Sequence, residues 1–91
     1  MNVFAGDIVY AKAGRDKDKP FVVLNILDSE FAMLADGRKR KVQKPKKKKL
    51  KHLQKSDFTA SDIQKKLQNG AVVTNPDIKR ALAKILNNHD A

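Results

Sequence analysis

Cysteine is absent from this 91-residue chain, so neither disulfides nor thiolate metal sites can hold its fold together, and core packing must suffice. Long apolar runs are missing too. The longest, such as Phe21 to Leu24, are far too short to cross a bilayer, and the N-terminus has no basic segment followed by an apolar one. A cytoplasmic protein is therefore expected. The two histidines, His52 and His89, stand far apart, and no Ser-His-Asp set, Cys-His set or paired carboxylates can be assembled. Gly14 to Lys19 has a glycine followed by a lysine but lacks the second glycine and the Ser or Thr of a phosphate loop. Catalysis, a metal, a cofactor and a small-molecule substrate are all unexpected.

What the chain has in excess is positive charge in one place. Residues 38–51 read RKRKVQKPKKKKLK, in which ten of fourteen side chains are Lys or Arg and none is acidic. Residues 1–37 carry four basic against six acidic groups and residues 52–91 six against four, so the flanks cancel and this run supplies the net charge of +10. So self-repelling a segment cannot fold alone; it needs an anchor and an anion. Val42, Leu50 and Leu53 are the expected anchors, with Pro45 stiffening the middle. For a small basic domain of pI near 10.0 the expected anion is nucleic acid. The competing reading of PKKKKLK as a nuclear-import signal or an anionic-membrane patch fits less well, because the interleaved apolar residues favour a folded ribbon and the run makes no amphipathic helix.

Around the run the pattern is β. Residues 3–13 follow a Gly6-Asp7 turn signal with a strand in which Ile8 and Tyr10 share one face and Val9 and Ala11 the other. A polar loop, Gly14 to Pro20, leads to a second strand over Phe21 to Leu27, with Phe21 and Val23 on one face and Val22, Leu24 and Ile26 on the other. A third strand, Phe31 to Ala35, ends at Asp36-Gly37, a strong hairpin signal. The start of the basic run is then expected as a fourth strand, with Val42 inward and Lys39, Lys41 and Gln43 outward, and residues 46–53 as a fifth. Short strands at this spacing imply a small antiparallel barrel or strongly curved sheet.

From Phe58 the period changes to helical. Thr59 and Asp62 make a capping-box pattern, with Phe58 and Ile63 as its staple, and Asn69-Gly70 is the stop. Asn75 is expected to cap a second helix with Pro76 at its first position and an apolar stripe of Ile78, Ala81, Leu82, Ile85 and Leu86. Strands apolar on both faces need a cover and the helices need a partner, so the helices should lie on the sheet. The chain reads as one folding unit: a barrel over residues 1–55, including the ribbon, and a helical extension over 56–91.

The segment Gly6-Asp7-Ile8-Val9-Tyr10-Ala11-Lys12-Ala13-Gly14-Arg15-Asp16-Lys17-Asp18-Lys19-Pro20-Phe21-Val22-Val23 resembles a KOW motif: strand, glycine-containing basic loop, strand. Its continuation through Ala35-Asp36-Gly37, Arg40-Lys41-Val42, Pro45 to Lys48 and Leu50-Lys51-His52-Leu53 is similar to the L-fourteen-e family of large-subunit ribosomal proteins and to small bacterial KOW-domain RNA-binding proteins. The likeness covers about residues 3–55; the loop departs from the usual pattern in lacking a second glycine and in carrying two aspartates. It implies an SH3-like (KOW) barrel, in line with the mainly β pattern of four or five antiparallel strands with two short C-terminal helices packed on them. It also implies binding to ribosomal RNA or the large ribosomal subunit; separately, the protein is expected to be a monomer and ribosome-associated in the cytoplasm. The alternative is a protein-interaction module of the transcription machinery, where KOW barrels also occur.

The expected RNA contacts are Lys12, Gly14, Arg15, Lys17 and Lys19 in the first loop and Arg38, Lys39, Arg40, Lys41, Lys44, Lys46, Lys47, Lys48, Lys49, Lys51 and His52 in the ribbon. Lysines supply affinity and register; Arg15, Arg38 and Arg40 are better suited to bidentate or stacked contacts. Lys46 to Lys49 are expected to lie outside the core, so that neutralising them weakens binding strongly and leaves the melting temperature nearly unchanged. Phe4, Tyr10, Phe21, Phe31 and Phe58 occupy apolar positions and are expected in the core, with only Tyr10 kept as a stacking candidate.

Overall fold

Alternation of apolar residues on both faces makes the strands, and the computed structural model, which describes residues 2–89 and side chains up to residue 85, arranges five of them in one antiparallel sheet. These are β1 (Asp7–Ala11), β2 (Pro20–Ile26), β3 (Phe31–Ala35), β4 (Lys46–Lys49) and β5 (Leu53–Thr59), followed by helices α1 (Ser61–Gln68) and α2 (Asn75–His89). The order across the sheet is β4-β3-β2-β1-β5, with a 3₁₀ turn at Leu50–His52 carrying the chain from one edge strand to the other. Among the described residues no ladder joins β4 to β5, so the sheet is open at those edges.

Both faces of the sheet are buried, as the doubly apolar strands require. On one face Val9, Ala11, Phe21, Val23, Ala32, Leu34 and Leu53 cluster with Val3, and Leu50 packs against them. On the other, Ile8, Val22 and Ala35 meet Ala60, Ile63, Ile78, Leu82 and Ile85 from the helical segment. The helices thus cover the outer face of the sheet. Leu86 and His89 have side chains outside the described residues.

Four expectations need correction. Residues 38–45 are a loop rather than a strand, and β4 begins only after Pro45; in place of a tight hairpin, the Asp36 carboxylate accepts the N–H groups of Arg38 and Arg40 and folds the chain into a wider turn. Val42 packs on the helix-side cluster, not within a ladder. In β2, Val23 pairs Leu34 but Asn25 pairs Met33, so one extra residue is accommodated near Leu24. That bulge reverses the alternation, placing Ile26 opposite the inward Ala32, away from the face of Val22 and Leu24.

Both helix caps also differ. Thr59 stays in β5, where its hydroxyl hydrogen-bonds Asp7 Oδ1 at 3.2 Å, and α1 starts after Ala60 with no side-chain cap. β5 therefore carries the sheet across residue 55 to Thr59. α2 is capped one residue earlier than expected: the Asp77 N–H donates to Thr74 Oγ1 at 3.3 Å and the Thr74 N–H donates to Asp77 Oδ2 at 3.0 Å, a reciprocal box. Asn75 is freed for another task. Its Oδ1 accepts the Val42 N–H at 2.8 Å and its amide donates to Gln43 at 2.9 Å, which ties the basic loop to the start of α2. Gly37 makes the approach possible, with φ of +79° and a site where a Cβ would come within 2.7 Å of the Asn75 carbonyl oxygen.

Candidate nucleic-acid interface

Strand alternation divides the four lysines of β4 into two pairs with different surroundings. Lys46 pairs Leu34 and Lys48 pairs Ala32, both core residues, so these two side chains leave on the core side. They reach across to the β1–β2 loop: Lys46 Nζ lies 2.8 Å from Asp16 Oδ2, and Lys48 Nζ donates to the Ala13 carbonyl at 3.0 Å. Lys47 and Lys49 pair Met33 and Phe31 on the outer face and are exposed. Lys47 Nζ sits 4.5 Å from the centroid of the half-buried Phe31 ring. The expectation that all four lysines are free of structural work therefore holds for Lys49, in part for Lys47, and fails for Lys46 and Lys48.

The β1–β2 loop is thereby fixed against the ribbon. Gly14 and Asp18 take φ of +86° and +69°, so an aspartate fills the second left-handed position, a conformation its short polar side chain tolerates. The Asp18 N–H donates to the Ala11 carbonyl at 2.8 Å. Asp16 titrates below the ordinary carboxylate range, chiefly through the hydrogen bond from Lys46, with the charges of Lys46, Lys19 and Arg40 adding to it. Lys19 Nζ also lies 3.8 Å from Asp16 Oδ1, so this carboxylate joins the loop to β4 at the centre of a cationic region. Arg15, Lys17 and Lys19 are exposed around it.

The rest of the expected set extends this region at both ends. Lys12 donates its backbone N–H to the His52 carbonyl at 2.8 Å, so Lys12, Lys51 and the half-buried His52 gather where β1 meets the 3₁₀ turn. Arg38, Lys39, Lys41 and Lys44 are exposed on the 38–45 loop. Lys46 is the member of the ten-cation run whose side chain pairs with a carboxylate; the side-chain charges of the other nine have no ion-pair partner among the described residues. Carboxylates among the described residues therefore leave most of the run's charge uncancelled.

Sequence reasoning missed two cations beside the region. Lys79 lies on the wet side of α2, yet its Cγ is 3.1 Å from where a Gly37 Cβ would stand, which sets it next to the basic loop. Lys55 of β5 lies over the ring of Phe4 at 5.9 Å, with its Nζ donating to the Asn2 carbonyl at 3.0 Å and 3.7 Å from Asp7 Oδ2, so its charge is already paired. Phe4 itself, expected in the core, is 60% exposed, whereas Tyr10 is half-buried. A cavity of about 540 Å³ between the end of β5, α1 and α2 has Phe58, Ile63 and Ile85 in its lining and is lined by none of the ribbon residues. Among the described residues no helix is long and apolar enough to cross a membrane.

No protein-family model matches the chain, and a search of curated proteins finds no match either.

Proposed function

We propose that this is a noncatalytic RNA-binding protein of the KOW type, built on an SH3-like barrel, that acts on structured RNA, with ribosomal RNA or the large ribosomal subunit as its partner. The observation that carries the reading is the stretch of nine cations without carboxylate partners among the described residues, held on a folded scaffold beside a basic loop. Charge of one sign concentrated this way is costly unless a polyanion docks, and docking releases the condensed counterions of the phosphates. Each phosphate neutralised contributes a salt slope of about 0.9 log units on duplex and about 0.7 on single strands, so six contacts give roughly 4–5. Lysines as point charges and loops shaped by the fold favour recognition of RNA shape over sequence.

Filter binding to ribosomal RNA fragments and to duplex DNA across salt tests this, together with cosedimentation with large ribosomal subunits. Tighter binding to the RNA fragments with a steep slope is expected. Equal affinity for both polymers at every salt, and no cosedimentation, would refute it.

A further inference from the structure

The N-terminal segment presents an aromatic ring that the core does not use. Phe4 is 60% exposed, but its backbone is held: its N–H donates to Asp7 Oδ2 at 2.8 Å and its carbonyl accepts the Asp7 N–H at 3.0 Å. The ring forms one wall of an open slot of about 310 Å³, whose other walls are Ala5 and the α1 residues Gln64, Leu67 and Gln68. That volume is at the small end of the roughly 300–1,000 Å³ of ligand clefts. The width of the slot is fixed by Gly6, where a Cβ would come within 2.7 Å of Gln64 Cβ, and by the Gln64 amide, which donates to the Ala5 carbonyl at 2.9 Å. Lys55, above the ring, belongs to the strand that continues directly from Lys51 and His52 at the end of the ribbon.

We propose that this slot takes one unpaired nucleobase of the bound RNA, stacked on Phe4 with its polar edge toward the amides of Gln64 and Gln68. The inference rests on the RNA-binding reading above and adds to it a means of telling unpaired from paired RNA. A single exposed apolar residue is ordinary on a protein surface. This one differs in having a backbone fixed by Asp7, a ring held beside Lys55, which is itself paired with Asp7 and the Asn2 carbonyl, amides at the rim and a position just beyond the ribbon. Aromatic rings offered to splayed-out bases are the usual way in which single-stranded RNA is gripped, and stacking is tolerant of base identity.

The chain has no tryptophan, so Phe4→Trp introduces a fluorophore that reports on this position alone. The probes are an RNA hairpin with a single-nucleotide bulge and the same hairpin fully paired. Quenching of the introduced indole's emission by the bulged RNA and not by the paired one is expected. Phe4→Ala and Phe4→Leu should each weaken binding of the bulged RNA by about 5- to 150-fold, with the salt slope unchanged because the ring carries no charge. If both RNAs bind the wild-type chain but emission stays constant and the two variants bind as the wild type does, the slot holds no base while the ribbon reading stands. If neither RNA binds the wild-type chain, the RNA-binding reading fails and the slot proposal falls with it. A change in oligomeric state on Phe4 substitution, without an effect on RNA, would instead assign the slot to a second copy of the chain and refute the proposal.

Discussion

Adjacent lysines of β4 should behave in opposite ways when their charge is removed. Lys46 has a side chain 22% exposed and a 2.8 Å hydrogen-bonded pairing with Asp16, itself 18% exposed, so Lys46→Gln removes a partly buried, charge-assisted contact. The loss is about 1 kcal/mol, which lowers the melting temperature of a domain this size by roughly 4–8 °C. Its positive charge is already matched by a carboxylate, so the salt slope of RNA binding should barely move. Lys49 has no ion-pair or hydrogen-bond partner for its side chain among the described residues, so Lys49→Gln should leave the melting temperature within about 2 °C and reduce the slope by about 0.7–0.9. Asp16→Asn separates the two effects in one variant. It costs about the same 1 kcal/mol as Lys46→Gln, yet it releases Lys46 and should raise both RNA affinity and the slope. Thermal denaturation and filter binding at four or five salt concentrations measure all three. Identical behaviour of the Lys46 and Lys49 variants in both assays would refute the assignment of the two lysines to opposite faces.

Two further outcomes follow from the junction of the sheet with α2. Asp77 is buried and titrates well below its ordinary value because it accepts hydrogen bonds from Lys66 and from the Thr74 N–H. A depressed folded-state value adds stability that is present above the unfolded value near 3.8 and is lost as pH falls below it, so the wild type should destabilise under acid. Asp77→Asn should lose about 1–2 kcal/mol at neutral pH and flatten that acid limb, as followed by urea denaturation against pH. Gly37→Ala combines a left-handed backbone with a Cβ that meets the Asn75 carbonyl oxygen, and should cost about 2 kcal/mol or more, with amide exchange rising first at Val42 and the start of α2. A wild-type-like melting temperature for Gly37→Ala would show that the loop and helix are not in such close contact.

The strands were legible where alternation is regular: β3 runs over Phe31 to Ala35 as its pattern implies, and β1 buries Ile8 on one face and Val9 and Ala11 on the other. The cover of the outer face by the helices was also legible, since two unpartnered apolar surfaces in a short chain have little else to meet. Ile26 was misplaced because a bulge adds a residue without leaving a mark on the hydrophobic pattern. The caps were misread for a different reason. Thr59 and Thr74 each precede a helix and each is followed three residues later by an aspartate, so the local signal is the same. Tertiary contact decides between them: Thr59 is held in the ladder beside Asp7, while Thr74 is free to cap. In the site, the ten cations were plain in the sequence, but which were already engaged depended on Asp16, thirty positions away from Lys46.

That division bears on how a run of like charges can be ordered at all. A basic segment held at one point would swing away from the domain to relieve its repulsion. Here it is held from both sides of the sheet: Val42 packs on the helix-side cluster and donates its N–H to Asn75, whereas Leu50 and Leu53 sit in the opposite cluster. Between these anchors lie Pro45 and the ladder of β4, and the two core-side lysines clamp the neighbouring loop rather than repel one another into solvent. The remaining lysines are thereby presented on a surface whose shape is set before any polyanion arrives, which reduces the ordering cost of binding. It follows that loosening one anchor should cost affinity without removing any charge. Val42→Ala leaves all twenty basic residues in place and trims only the helix-side anchor, so a loss of RNA affinity at an unchanged salt slope is the expected signature. Wild-type affinity for this variant would mean that the run binds as a flexible polycation and that the scaffold contributes nothing to its recognition.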